Sequence, residues 1–357
     1  MQVLLYRRSL DLRSGAGQLL HMQMRGLMAA GVPAMIACSR GALKFWLRTG
    51  LRPRRLGLAS MEQRQSRGWM IVDHGLGVPS AELVFVHNVA NEARRYLSRV
   101  DLAAHIDREH AFFSQLNPAA VVVANSKLVK DSLVTHFGLP VERVAVLYPG
   151  YDPERFTVQR AGALRGAARQ QLGLGERTPL VGFLTSGDFT KRGLDLFLDT
   201  AARIAVVRPD VQFLIVGSKS LPASAAEHPL VRSGRMHYRP KNRRPEQWFA
   251  ALDLFLYAAR FEEFGMVLAE AQAMGVPVLT SRRVGASECL PAAYAPWLLE
   301  HPDPPRFAAL AVTMLMDAHL RAELVAAGVA SVAAFDRSAY VRGTLALLLA
   351  AQKRRLK

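Results

Sequence analysis

Residues 262–278 read EEFGMVLAEAQAMGVPV, and this stretch decides the fold. It follows an apolar run at 254–257 that is short and rich in aliphatic and aromatic residues, and therefore predicts a buried strand. A polar loop leads from there into a predicted helix over 266–274, and Gly275 supplies the residue that ends it. Strand, loop and helix in this order place a helix N-terminus at the carboxyl edge of a parallel sheet.

The start of this helix, at Gly265, Met266 and Val267, is a predicted anion contact. Free backbone N–H groups and the positive end of the helix dipole attract phosphate there. Glu262 stands in the loop before the helix, and Glu270 stands about one turn inside it. Because carboxylates accept hydrogen bonds from sugar hydroxyls, the arrangement suits a ligand with hydroxyl groups on both sides of a diphosphate.

Short apolar runs separated by helical patterns extend this arrangement over the rest of the chain. Each run is too short for a buried helix, and most are rich in Val, Ile, Leu or Phe, which is typical of strands buried on both faces. The predicted strands are 3–6, 34–37, 70–72, 83–86, 120–124, 144–147, 180–184, 213–216, 254–257 and 278–279. Their alternation with helices in two blocks predicts an α/β fold of two doubly wound parallel-sheet domains.

The domain boundary falls in a stretch without predicted strands, at 151–178. We predict a first domain over residues 1–165 and a second over residues 166–335. Residues 336–357 are predicted to form a C-terminal helix that packs back toward the first domain.

The composition limits the partners. The 357 residues carry a formal net charge of +17, which favours nucleotide phosphates, acidic lipid headgroups or nucleic acid. The two cysteines, Cys38 and Cys289, are far apart and outside any metal-binding motif, which argues against a disulfide scaffold and a zinc site. We find no signal peptide and no apolar stretch of about 18–20 residues, and we expect a cytoplasmic protein.

The fuller string E-x-F-G-x4-E-A-x-A-x-G-x-P-V resembles the retaining glycosyltransferases of the GT-B fold, in glycosyltransferase family 4, also called group 1. Residues 182–195, GFLTSGDFTKRGLD, resemble the first strand and loop of the family's C-terminal domain, and SGDFTKRG within them, at 186–193, is most similar to the lipopolysaccharide-core glucosyltransferases. The resemblance implies two Rossmann-like domains facing across a cleft. Residues 1–165 would bind the acceptor, and residues 166–335 would bind the nucleotide sugar.

The resemblance also implies roles for single residues. Glu262 contacts the donor sugar, and Glu270 binds the ribose hydroxyls. Lys191 and Arg192 hold the donor diphosphate. His87, at the end of the strand 83–86, matches a histidine that contacts the donor sugar and phosphate, so we place it with Glu262 in the catalytic centre. We assign no general base.

Four residues are candidates for the acceptor side. Gly15 and Gly17 follow the first strand and resemble the family's glycine-rich acceptor loop, although an ordinary strand–helix turn explains them equally well. Asp73 and His74 end another apolar run, where polar side chains face the ligand edge of a parallel sheet.

The sequence departs from the family at three places. With Arg192 aligned to the family's lysine, Gly187 stands where an arginine is usual. Ala258 and Ala259 replace a usual Pro-Ser, and Glu263 replaces a common glycine. These changes leave the fold prediction intact and the donor sugar open.

Residues 40–55, RGALKFWLRTGLRPRR, form a basic and apolar segment. Phe45, Trp46, Leu47 and Leu51 stand among six Lys and Arg residues, a composition that suits contact with lipid headgroups. We expect peripheral attachment to the inner face of an anionic membrane; an exposed basic helix with a few core contacts is the alternative. The predicted patch extends to Arg94, Arg95, Tyr96 and Arg99.

The predicted reaction is retaining transfer of a hexose from a UDP-sugar, UDP-glucose by resemblance, to a cell-envelope glycan or glycolipid such as lipopolysaccharide core. No D-x-D occurs in the sequence. The diphosphate charge is therefore left to Lys191, Arg192 and the helix N-terminus, and we expect no metal and no other cofactor.

Alternatives remain at this point. A GDP-mannose-dependent mannosyltransferase of polysaccharide synthesis would share every motif, and so would a catalytically inactive GT-B scaffold. The chain carries no signature of a nucleic-acid-binding module, and we expect no nucleic-acid partner.

Overall fold

The computed structural model describes residues 1–12, 14–98 and 102–355. Contacts divide the chain into two units. Unit 1 is Met1–Gly150 together with the C-terminal segment that starts at Arg337, and unit 2 is Tyr151–Asp336. Arg99, which the sequence analysis assigned to the basic patch, lies outside the described residues.

Unit 1 is built on a parallel sheet with seven strands in the described ranges. The strands are β1 (Gln2–Ser9), β2 (Ala34–Arg40), β3 (Arg54–Arg55), β4 (Trp69–Asp73), β5 (Leu83–Val86), β6 (Val121–Ala124) and β7 (Val144–Val146). Their order is β3-β2-β1-β4-β5-β6-β7, and all neighbouring pairs are parallel. Successive side chains of β1 enter different cores: Leu4 lies in one apolar cluster and Leu5 in the other. The sheet is therefore covered on both faces, which explains its continuous apolar strands.

Helices connect these strands. In unit 1 they are α1 (Gly15–Ala29), α2 (Ala42–Thr49), α3 (Leu58–Ser66), α4 (Ala90–Arg94), α5 (Leu102–Ser114) and α6 (Lys127–Phe137).

Unit 2 repeats the plan with a parallel sheet of five strands. The strands are β8 (Leu180–Leu184), β9 (Gln212–Gly217), β10 (Met236–Pro240), β11 (Leu254–Tyr257) and β12 (Val278–Thr280). The helices are α7 (Val158–Gln170), α8 (Leu194–Val207), α9 (Ala223–Ala226), α10 (Pro229–Arg232), α11 (Pro245–Ala251), α12 (Met266–Ala273), α13 (Pro304–Met316) and α14 (Ala318–Val332). The strand order is β10-β9-β8-β11-β12.

The last helix, α15 (Arg337–Arg355), belongs to unit 1. Tyr340, Leu348 and Ala351 are buried in the cluster beneath β1. Gln23 of α1 donates a hydrogen bond from Nε2 to the Tyr340 hydroxyl at 2.9 Å. These contacts show why α15 returns to unit 1 after the whole of unit 2.

Helix α7 packs against α11 inside unit 2. Arg165 lies within it and pairs with Asp253 at 2.6 Å between Nη2 and Oδ1. The contacts thus divide the chain after Gly150, whereas the sequence analysis placed the boundary after residue 165. The difference arises because α7 precedes the first strand of its own unit.

The α/β class and the two doubly wound sheets are confirmed. The ten predicted strands all occur, and two strands were not predicted: β3 and β10. Both lie at a sheet edge, β3 has two exposed arginines, and β10 reads MHYRP. Edge strands are half solvated, so the continuous apolar run that identifies a central strand is missing from them.

Each sheet has a place where the strand order reverses. In unit 1 it lies between β1 and β4, and in unit 2 between β8 and β11. At each of these places, the connections from the two neighbouring strands leave toward opposite faces of the sheet, which opens a crevice at the carboxyl ends of the strands. The loops that follow β8 and β11 therefore border this crevice in unit 2.

Within the described ranges, one segment, Ala318–Phe335, is long and apolar enough to cross a membrane by length and composition. By the criteria of length and composition, the expectation that no such stretch occurs is therefore wrong. Helix α14, which makes up most of it, packs against α12 and α13, and the Tyr294 hydroxyl donates to the Leu324 carbonyl at 3.1 Å. One helix of this kind is weak evidence for a membrane span.

The packing of α15 gives a prediction for stability. Leu348 is fully buried and its neighbour Leu349 is 53% exposed. Leu348→Ala should lower the free energy of unfolding by about 2–5 kcal/mol, because it leaves a cavity in the core. Leu349→Ala, the matched control, should change it by less than about 0.5 kcal/mol. Urea unfolding measures both, and equal effects would contradict the assignment of α15 to the core of unit 1.

Candidate active site

The crevice of unit 2 is lined by two loops that meet through an ion pair. Arg192 comes from the loop between β8 and α8, and Glu262 from the loop between β11 and α12. Arg192 Nε lies 2.6 Å from Glu262 Oε2, and both side chains are largely buried. The sequence analysis placed these residues in one site, and the structure brings them into direct contact.

Further bonds fix the Glu262 carboxylate. The Tyr257 hydroxyl at the end of β11 donates to Glu262 Oε2 at 2.9 Å. Burial and the neighbouring Glu262 raise the pKa of Tyr257 well above its usual value, so this hydroxyl keeps its proton. The Glu262 main chain pairs with the segment at Val284, and its carbonyl accepts from Gly285 N–H at 2.9 Å. Glu262 is therefore held rigidly at the edge of the crevice.

Arg192 stays charged in this environment. Burial acts to lower its pKa, but the charge of Glu262, together with Tyr257, Glu263 and Asp188, outweighs burial and raises the pKa above the usual value. Its Nη1 atom is buried and has no hydrogen-bond partner among the described residues. This N–H group can donate to a ligand.

The start of α12 is open to a ligand. Gly265 is its N-cap residue and adopts φ 90°, a left-handed conformation that favours glycine. A Cβ atom there would lie 3.0 Å from Val284 Cγ1 and 3.1 Å from Glu262 Cγ. No side chain caps the first turn, where Met266 and Val267 lie half-buried. The backbone N–H groups of this turn can thus bind an anion.

Lys191 has a partner that the sequence analysis did not assign. Its Nζ atom lies 2.7 Å from Glu263 Oε1 and 2.6 Å from Oε2, and it also lies over the Phe261 ring. Glu263 is 2% exposed. The only sequence signal for this contact was the departure from a common glycine at position 263.

Glu270 lies half-buried on α12, near three charged side chains. Burial raises its pKa to about 7, with Glu246 and Asp152 adding to the rise and Arg155 opposing it. Arg155 in turn pairs with Glu246 at 2.7 Å. Glu270 therefore changes protonation near neutral pH, unlike an ordinary surface glutamate.

In unit 1, the carboxylate of Asp73 holds its own loop. It accepts from the N–H groups of Gly75, Gly77 and Val78 at 2.9, 2.6 and 2.9 Å. Asp73 is completely buried, and burial raises its pKa to about 6 against the effect of these bonds. Its two oxygens are thus engaged inside the protein, where they shape the loop that the sequence analysis assigned to the acceptor side.

His74 and His87 form a pair at the ends of β4 and β5, with His74 buried and His87 half-buried. His74 Nδ1 lies 3.0 Å from His87 Nε2, and the His74 ring stacks on Phe85 at 4.6 Å between centroids. Burial, with Arg7 nearby, lowers the pKa of His87 to about 3, and burial lowers the pKa of His74 well below its usual value. Both imidazoles are therefore neutral at physiological pH. His87 also lines a small cleft with Asn125, Pro149 and others.

Gly15 and Gly17 lie in the first turn of α1, after the N-cap Ser14. The Ser14 hydroxyl accepts from Gly17 N–H at 3.1 Å. A Cβ atom on Gly17 would lie 2.0 Å from the Asp11 carbonyl oxygen, so the close approach of two backbone segments requires glycine here. The geometry of the strand–helix turn thus explains why residue 17 is a glycine.

The basic segment 40–55 divides into core and surface. Phe45 is 2% exposed and belongs to the apolar core, and Leu51 packs against that core. The assignment of Phe45 to a membrane patch is wrong, because its side chain is buried in the core, whereas Leu51 is partly buried. Leu43, Trp46 and Leu47 are exposed, and Arg52 lies over the Trp46 ring at 5.6 Å.

Within the described ranges, no group of three or more His, Cys, Asp and Glu side chains is placed to hold a metal ion. Cys38 is buried, Cys289 is half-buried, and both are free thiols.

The raised pKa of Glu270 predicts a pH-dependent stability. Below about pH 4.5 the carboxyl is protonated in both states, and between pH 4.5 and 7 the unfolded chain ionises while the folded chain does not. Ionisation thus destabilises the fold increasingly up to about pH 7. Glu270→Gln should be more stable than the wild type at pH 8 by on the order of 1–3 kcal/mol, and equally stable at pH 4.

Chemical denaturation at pH 4, 6 and 8 measures this difference. Glu323→Gln, on the exposed side of α14, is the matched control and should show no such trend. A difference that is the same at all three pH values would contradict the raised pKa of Glu270.

Comparison with known proteins shows the fold of the chain and a family match within unit 2. Residues 178–317 match the family described as glycosyl transferases group 1. The chain is similar to WaaG, described as a glycosyltransferase involved in lipopolysaccharide biosynthesis, with a TM-score of 0.78 and 17% identity over 96% of this chain and 98% of WaaG. It is also similar to HepE of Anabaena in complex with UDP-glucose, with a TM-score of 0.74 and 19% identity over 98% of this chain and all of HepE.

A sequence relative is the D-inositol 3-phosphate glycosyltransferase of Xylanimonas cellulosilytica, 26% identical over 84% of this chain and 76% of the relative. Other proteins of that name match over 36% to 65% of their own length. The predicted GT-B fold and the resemblance to the group 1 glycosyltransferases are thereby confirmed, the latter by the match of residues 178–317.

Proposed function

We propose that the chain transfers a hexose from a UDP-sugar, UDP-glucose in particular, to a cell-envelope glycan or glycolipid such as lipopolysaccharide core, with retention of configuration. One observation carries the proposal. The crevice of unit 2 combines a charged, buried Arg192, a rigid Glu262 and an open helix N-terminus at Gly265. This is the set of groups that a diphosphate and its attached sugar require.

Each group then has a proposed role. The N–H groups of Met266 and Val267, with Arg192 and Lys191, neutralise the leaving diphosphate. Glu262 accepts hydrogen bonds from the donor sugar, and Glu270 accepts them from the ribose. His87, neutral with a pKa of about 3, contacts the reacting sugar as a hydrogen-bonding group.

On the acceptor side, we propose that Gly15, Gly17 and His74 shape the site. Gly17 permits the close approach of α1 to the Asp11 carbonyl, and Asp73 holds the loop that carries His74. These residues thus set the position of the backbone around the acceptor.

The donor and acceptor follow from what the similar proteins are named for. HepE binds UDP-glucose, and WaaG is involved in lipopolysaccharide biosynthesis. The sequence relatives are named for D-inositol 3-phosphate, which makes a phosphorylated polyol the second candidate acceptor. A UDP-release assay with each acceptor in turn distinguishes them.

We also propose that the enzyme is peripheral on the inner face of the membrane, through α2. Leu43, Trp46 and Leu47 are exposed on this helix at 61%, 41% and 72%. Arg40, Lys44 and Arg48 surround them in sequence, and Arg52 lies over Trp46. Apolar side chains that enter the headgroup layer, next to cations that meet anionic lipid, give surface attachment.

Nucleotide binding tests the donor proposal. UDP at 100 times its dissociation constant should stabilise the chain by about 2.7 kcal/mol, seen as a rise in Tm, and should do so in the presence of EDTA because no metal is required. Glu270→Ala should abolish most of the shift. A response to GDP and not UDP would move the donor to a GDP-sugar. A shift that EDTA removes and manganese restores would contradict the metal-free site, and the absence of any nucleotide response would favour the inactive scaffold.

Liposome co-sedimentation tests the membrane proposal. The wild type should bind vesicles that contain anionic lipid at low salt. Leu47→Asp should bind them at least about tenfold more weakly, because it places a negative charge on the face of α2 that enters the headgroup layer. The control is Val206→Asp on α8, whose side chain is 83% exposed in unit 2. Equal binding by Leu47→Asp and the control would exclude α2 as the membrane contact.

A further inference from the structure

Two consecutive carboxylates neutralise the two cations of the proposed diphosphate site. Arg192 pairs with Glu262 at 2.6 Å, and Lys191 pairs with both oxygens of Glu263 at 2.7 and 2.6 Å. The formal charges of these four groups sum to zero. A diphosphate that enters therefore meets a site whose positive charge is already compensated.

The Lys191–Glu263 pair is shielded from solvent. Glu263 is 2% exposed, and the Lys191 side chain is 15% exposed. Water therefore screens the two charges poorly, and the Glu263 carboxylate lowers the positive potential that Lys191 offers to a diphosphate. Full engagement of Lys191 by a diphosphate requires that it compete with the carboxylate of Glu263.

The two cations differ in how they are engaged. Arg192 pairs with Glu262, which also accepts from Tyr257 and whose main chain is paired with Val284. Arg192 keeps a buried Nη1 without a partner among the described residues, so it can bind a ligand without leaving Glu262. Both Glu263 oxygens lie within hydrogen-bond distance of Lys191 Nζ, which leaves one of the three ammonium N–H groups for a ligand.

We propose that Glu263 is an internal competitor for the donor diphosphate: it holds Lys191 through both carboxylate oxygens, and the diphosphate competes with it for this cation. Glu263 thereby sets the donor affinity of the enzyme. This inference rests on the proposed function. It assigns opposite effects to two residues in direct contact, since Lys191 strengthens diphosphate binding and Glu263 weakens it.

Isothermal titration calorimetry with UDP and with GDP, in EDTA, tests whether Lys191 and Glu263 have opposite effects on nucleotide affinity. Glu263→Gln should bind the nucleotide about tenfold more tightly than the wild type, because Lys191 is released. Lys191→Gln should bind at least about tenfold more weakly. Glu300→Gln removes one negative charge from the exposed pair with Arg282 and should change neither affinity. The melting temperature of each nucleotide-free variant confirms that it is folded.

A purely structural ion pair would give another pattern. Both Glu263→Gln and Lys191→Gln would then weaken binding together, because either change disturbs the loops, and this result would overturn the inference. Unchanged affinity of Glu263→Gln would overturn it as well. If Glu263→Gln does not fold, Glu263→Gly removes the carboxylate without adding an amide and should show the same gain.

The same titrations distinguish a failure of the proposed function from a failure of this inference. If neither the wild type nor Glu263→Gln binds UDP or GDP at millimolar concentration, the donor site itself is refuted, and the inference falls with it. If the wild type binds and Glu263→Gln binds no better, only the inference is refuted.

Discussion

The ion pair between Arg192 and Glu262 joins the two loops on which the site of unit 2 depends. These loops follow β8 and β11, the two strands at which the sheet order reverses. The reversal opens a crevice, and the pair, with the Tyr257 hydroxyl, fixes the two walls at a defined separation. Removing one partner of a buried pair leaves an uncompensated charge, which costs about 3–5 kcal/mol. The geometry of the crevice and the stability of the loops therefore rest on the same contact.

Around this contact, the protein supplies positive potential from three sources of different strength. Arg192 remains charged and has a free Nη1, the first turn of α12 offers backbone N–H groups, and Lys191 is held by Glu263. Glu270, with its pKa of about 7, adds a group whose charge depends on pH near neutrality. Under the proposed function, the groups already in place would bind the diphosphate, and the groups that must change partner would adjust its affinity.

Most of the fold was predictable because central parallel strands are buried on both faces and appear as apolar runs. The edge strands β3 and β10 were missed because one side of each is solvated. Residues 40–55 predicted a surface cluster, but their sequence does not show which face of α2 meets the sheet, and Phe45 lies in the core. In the site, Glu262 and Gly265 were predictable because they are close in sequence to a recognisable helix start. The pairing of Glu263 with Lys191, 72 residues away, depends on how two loops approach in space. The bonds of Asp73 to its own loop are local, but they depend on a loop conformation that the sequence pattern did not specify.

The central claim is that the crevice at the ends of β8 and β11 binds a nucleoside diphosphate. A crystal structure of the full chain with UDP tests it most directly. The account predicts the diphosphate against the N–H groups of Met266 and Val267, within hydrogen-bond distance of Arg192, and the ribose hydroxyls on Glu270. A structure in which UDP lies away from the start of α12, with Arg192 and Glu270 both out of contact, would contradict it.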